Sequence, residues 1–113
     1  AGAGQLTLQV EGPLAIQTNA APPLRMESAH SVRDVFAMVK QAPNSTPIEV
    51  QITVNGQTYA SVTIPLNQTI SNIQDGFVLG PIPEGAQIGL NISSVSQTQN
   101  TSPGSDLTVT IRL

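Results

Sequence analysis

The chain has 113 residues, enough for one domain with a single core. Charged residues make up only 10% of it, and the net charge is −3 with four Lys and Arg in all, which gives no electrostatic footprint for nucleic acid or for docking on an anionic membrane. Cys is absent, which excludes disulfides and Cys-based zinc or nucleophile chemistry, and no apolar run is long enough for a membrane helix or flanked like a signal peptide.

Residues 1–4, AGAG, read as a linker or expression remnant, and residues 5–113 as a single domain. In QLTLQVE (5–11), Leu6, Leu8 and Val10 alternate with Gln5, Thr7, Gln9 and Glu11, the period of a half-buried strand. Gly12-Pro13 breaks it, and LAIQT (14–18) reads as a short second strand. Residues 19–23 form a loop whose prolines lack ladder donors, and 24–26 a brief strand. Residues 30–41, HSVRDVFAMVKQ, fit two periods. Val32, Val35, Phe36 and Val39 have helical spacing, whereas Val35, Ala37 and Val39 alternate as in a strand. The β signals around them and the nearby Pro43 favour strand.

The strongest local signal is PIEVQITVNGQTYASVTI (47–64). Ile48, Val50, Ile52 and Val54 alternate with Glu49, Gln51 and Thr53. Asn55-Gly56 then suits a type I′ turn, and a β-branched return strand is stopped by Pro65. Residues 66–76 are polar and weakly periodic, a crossing between two sheets with Asp75-Gly76 as a turn. Residues 77–79 read as a short apolar strand. After the turn-rich 80–85, Ile88, Leu90, Ile92 and Val95 mark a strand bulged at Ser93-Ser94. Residues 96–106 form a polar loop, and LTVTIRL (107–113) is the closing strand. About eight strands with these turn signals predict an all-β fold. It is an antiparallel β-sandwich, jelly-roll-like, with a small β-barrel as the alternative.

Residue types for catalysis are sparse. His30 is the single histidine, with Ser28, Ser31, Glu27 and Asp34 near it in sequence, but polar loops supply such neighbours by chance, and it reads as an ordinary loop histidine. The acids Glu11, Glu27, Asp34, Glu49, Asp75, Glu84 and Asp106 show no calcium-loop spacing. Asp75 and Asp106 read as turn residues whose side chains bond local backbone. No catalytic residue, metal site or cofactor is expected. Asn44, Asn67, Asn91 and Asn100 head glycosylation-type triplets at the frequency this composition gives by chance. The chain has no Trp, and Phe36 and Phe77 sit in apolar runs that read as buried. Tyr59, with Gln57 and Asn55 on the hairpin, is therefore the candidate contact for a glycan or protein partner. Its competing reading is a ring packed with its hydroxyl at the rim.

SVSQTQNTSPGSDLTVTIRL (94–113) resembles the end of a domain common in tailed-phage and prophage structural proteins: a strand, a polar loop, then a Pro-Gly-Ser-Asp-Leu-Thr-Val turn and strand. GPLAIQTNAAPPLRM (12–26) is similar to the opening of that family and SVRDVFAMVKQAPNSTPIEVQITVNGQ (31–57) to its central segment. PEGAQIGLNISSV (83–95) stands where its penultimate strand does. The chain departs from the family at Ala86-Gln87, where an acidic turn residue is usual, and at Thr53-Val54, where a Lys often precedes the hairpin, so no ion or ligand site is carried over. The resemblance implies a non-catalytic virion module of a tail, fibre or surface protein, located on the particle. Its partners would be copies of itself, a trimer for preference, and other virion proteins. The alternatives are a carbohydrate-binding module recognising host surface glycans and a bacterial surface or secreted adhesive domain.

Overall fold

The alternating segments become eight strands among the residues that the computed structural model describes, which are 5–21, 23–76, 79–95 and 103–113. These are β1 (Gln5–Pro13), β2 (Leu24–Arg25), β3 (Asp34–Met38), β4 (Ile48–Val54), β5 (Gln57–Ile64), β6 (Gln74–Asp75), β7 (Gln87–Ser94) and β8 (Ser105–Arg112). They form two four-stranded antiparallel sheets, in the orders β1-β8-β3-β6 and β2-β7-β4-β5. That interleaving of early and late strands is the jelly-roll arrangement of the β-sandwich, and not a closed barrel.

The core lies between the sheets, and alternation fills it. One sheet contributes Leu8, Val35, Ala37, Leu107, Val109 and Ile111, and the other Ile48, Val50, Ile52, Val62, Ile64, Ile88, Leu90 and Ile92, all buried. The β4–β5 hairpin closes through Asn55 (φ 52°) and Gly56 (φ 84°), the two positive values that a type I′ turn requires. Ile52 faces Ala60 while Thr53 faces Thr58, so Tyr59 is an extra residue bulged out of the ladder. The expected bulge in β7 is present. Glu49 faces Ser94 and Val50 faces Ile92, which leaves Ser93 unopposed.

Residues 30–41 are extended, with β3 at their centre. Four expectations need correction. Residues 14–18 are not a strand: only Gln17 bridges to Ile92, Ala20 then donates to the Leu90 carbonyl at 2.7 Å, and Leu24 pairs with Ile88. They and β2 make one interrupted strand along β7, broken where Asn19 takes φ 53°. β1 does not stop at Gly12 but passes a bulge there to reach Pro13. Asp106 reaches beyond local backbone; its carboxylate accepts the N–H of Gly12 at 2.9 Å, across the strand pair. Asp75 is the last residue of β6, and the expected turn opens one residue later, at Gly76, whose carbonyl accepts from the Leu79 N–H at 3.0 Å.

The polar segment 66–73 does cross from β5 in one sheet to β6 in the other. Most of the expected 77–79 strand, with Phe77, and residues 96–102 of the expected loop lie outside the described residues.

Candidate functional site

The hairpin brings Asn55, Gln57 and Tyr59 together, with Val54 and Thr58, around an open depression of about 410 Å³. Their polar atoms are largely engaged in holding the fold. The side-chain oxygen of Asn55 accepts from the Gln87 N–H at 3.0 Å, and the Asn55 N–H donates to the Gln87 carbonyl at 2.8 Å. These two bonds staple the turn to the start of β7. The Tyr59 hydroxyl donates to the Gly80 carbonyl, its ring packs against the core, and burial raises its pKa. Gln57 is exposed.

Beside the turn, a second depression of about 310 Å³ lies on the outside of the same sheet, lined by Asn19, Pro23, Thr53, Gly56, Gln87 and Gly89. Gly89 faces Thr53 in the ladder, and a Cβ there would stand 2.6 Å from the Thr53 hydroxyl oxygen. The absence of a side chain at Gly89 is what lets the backbone approach so closely.

His30 is exposed, bridges Ile82 through both backbone groups, and has its Nε2 2.9 Å from the Ser28 hydroxyl. A triad needs a carboxylate on the other ring nitrogen. Asp34, the nearby acid on β3, is instead held in a two-point ion pair by Arg112, with Nε to Oδ1 at 2.6 Å. Those hydrogen bonds lower the Asp34 pKa, burial opposes them, and the charges of Arg112 and Arg33 add to the lowering. The same pairing raises the pKa of Arg112. Among the described residues, no group of three or more His, Asp or Glu side chains could hold a metal ion.

The surface that sequence reasoning missed is the outside of the β1-β8-β3-β6 sheet. Val35 and Ala37 point inward, so Phe36 and Met38 point outward. Phe36 is half-buried instead of buried, with the Arg112 guanidinium 5.6 Å from its ring centroid. Met38 bridges Ile70, and the next residue along, Ser71, turns inward and exchanges bonds of 2.8 Å with the Ala37 backbone. Ile73 then stands outward beside Phe36, just before β6. Met38, Ile70 and Ile73 are 45%, 43% and 56% exposed, a contiguous apolar strip on the solvent side of a sheet. The signal was available in the alternation of Val35, Ala37 and Val39, which leaves the residues between them facing water.

No protein-family model matches the chain, and neither does any curated protein.

Proposed function

We propose that the chain is a non-catalytic structural or attachment module of a bacteriophage or prophage particle, acting by self-association or by docking on another particle protein. The observation that carries this reading is the uncovered strip of Phe36, Met38, Ile70 and Ile73 on an otherwise well-patterned jelly roll. The exposed parts of apolar residues grouped on one sheet gain little within the isolated fold, and such patches mark interaction surfaces. Jelly rolls are used in viral capsids, although also in lectins and cupins, so the fold alone does not choose between them. The resemblance of residues 12–113 to phage structural domains favours the virion reading. Mass spectrometry of density-banded particles from the producing cells tests it. Stoichiometric recovery of the chain with the particles is expected. Recovery only in the cell-surface or secreted fraction would contradict the virion reading and favour an adhesive domain.

A carbohydrate-binding module is the second reading, favoured by one observation: Asn55, Gln57 and Tyr59 line a single depression. Its weakness is chemical. The Asn55 carbonyl oxygen and the Tyr59 hydroxyl already have partners within the chain, leaving Gln57 as the main group for a sugar hydroxyl. A glycan array decides this, with binding that is lost in Gln57→Ala as the supporting result.

A further inference from the structure

We infer that the outside of the β1-β8-β3-β6 sheet is where two copies of this chain pair about a two-fold axis lying across β3. This rests on the self-association part of the proposed function and names its surface and its partner.

Register places every outward residue. Across the sheet, Thr7, Thr110 and Phe36 form one row that ends at Ile73, and Gln9, Thr108, Met38 and Ile70 form the next. At one end of the strip Arg112, Asp34 and Asp75 stand side by side. At the other, Lys40 is exposed just past the inward Val39, in the row of the exposed Asp106 and Glu11.

The area fits a pair of copies. The exposed parts of Met38, Ile70, Ile73 and Phe36 amount to roughly 300 Å² of apolar surface, the size at which a patch on a monomer is often functional. A stable interface of about 800 Å² per partner is a little over half apolar. The strip, with the methyl groups of Thr7 and Thr108 around it, supplies most of that share.

The pattern is also complementary to itself. With a rise of about 3.3 Å per residue, Asp34 and Lys40 lie roughly 20 Å apart, and their midpoint falls between Phe36 and Met38. Rotation about an axis through that midpoint, in the plane of the face and perpendicular to β3, lays Phe36 over the partner's Met38. It lays Ile73 over the partner's Ile70 and Lys40 beside the partner's Asp75. Each contact occurs twice, as a two-fold interface requires. The apolar residues meet apolar residues, a thioether meets an aromatic ring, and opposite charges meet at both ends. The Asp34–Arg112 pair is already neutralised within each copy and does not oppose the approach. The outer face of the other sheet, with Glu49, Gln51, Ser61 and Thr63, has no such strip among the described residues.

Sedimentation equilibrium across a dilution series tests this, with circular dichroism confirming that each variant folds. A reversible dimer is expected. Ile73→Asp, at an exposed position, weakens it by about tenfold or more because it buries a carboxylate among apolar groups. Met38→Asp does the same from the neighbouring row. Lys40→Asp and Asp75→Lys each weaken the dimer by about threefold, and the double exchange restores it, a rescue that only charge pairing between copies produces. Ser61→Asp, on the opposite face, leaves the dimer unchanged. A wild-type monomer at about 1 mM would overturn the inference, because it corresponds to an association too weak for a specific pair. So would a trimer, or a dimer indifferent to both Ile73→Asp and Met38→Asp. A monomer in solution that is nevertheless recovered with particles overturns the pairing alone. A dimer obeying the charge exchange but absent from particles overturns the virion reading alone.

Discussion

The two sheets of this jelly roll turn equivalent faces to each other and different faces to water. On the β2-β7-β4-β5 sheet the outward positions hold Glu49, Gln51, Thr53, Ser61, Thr63, Asn91 and Ser93. On the β1-β8-β3-β6 sheet the strands β1 and β8 follow the same rule with Thr7, Gln9 and Thr108, but β3 and residues 70–73 do not. Inward residues of both sheets fill the core, and the exposed Met38, Ile70 and Ile73 are not part of it. On the proposed pairing, the difference separates a sheet that ends at solvent from one that a second copy covers.

Substitutions distinguish the two faces. The largest effect is expected from Ile52→Ala at a position with 0% exposure, about 2–4 kcal/mol by urea denaturation, from lost burial and the cavity left behind. Ile73→Ala, the same chemical change on the outer strip, is expected to stay within about 0.5 kcal/mol for the monomer. Equal costs would mean that Ile73 is covered within one chain, and the contrast would disappear. Next comes Gly89→Val on the polar sheet. Its Cβ presses on the buried Thr53 hydroxyl, and overpacking of this kind costs about 1–3 kcal/mol in thermal or chemical unfolding.

A smaller loss is expected where the two sheets meet. Asn72 sits on the open edge of β5. Its side-chain oxygen accepts from the Thr63 N–H at 2.9 Å, and its own N–H donates to the Thr63 carbonyl at 3.3 Å, replacing a missing neighbouring strand. Asn72→Ala should cost about 0.5–1.5 kcal/mol and speed amide hydrogen exchange at Thr63. Unchanged exchange there would show that the edge does not need this cover.

The smallest effect concerns acid. Because pairing with Arg112 depresses the pKa of Asp34 on folding, its stabilisation is complete above the ordinary carboxylate value of 3.8 and is lost as pH falls through the lowered value. In Asp34→Asn, stability should fall less steeply with acid below about pH 4 than in the wild type. Parallel curves would mean that the pair does not hold the end of the apolar strip.

Much of this was legible in the sequence, and the failures have physical causes. The β4–β5 hairpin could be read because alternation and Asn55-Gly56 are local signals, and Ser93 marked a bulge for the same reason. The expected brief strand at 24–26 is present as β2, whereas β6, of two residues, has no period of its own and is defined by its neighbour β3. Asp106 misled because its partner Gly12 lies 94 residues away. The candidate contacts Asn55, Gln57 and Tyr59 do meet, since one turn holds them, but the Gly80 carbonyl that takes the Tyr59 hydroxyl could not be foreseen from the hairpin. Phe36 was misread by treating its run as uniformly apolar, when extended backbone sends it to the side opposite Val35 and Ala37. Ile70 and Ile73 were hidden because Asn72, reaching across to β5, interrupts the period between them.

On the proposed pairing, a second copy covers one outer face and not the other. Methyl NMR of selectively labelled Ile and Met across a concentration series tests it most directly. The resonances of Met38, Ile70 and Ile73 should shift together with a single midpoint, while Ile16, 50% exposed on the side of the polar sheet, stays fixed. Three stationary strip resonances, or an Ile16 that moves in their place, would contradict the account.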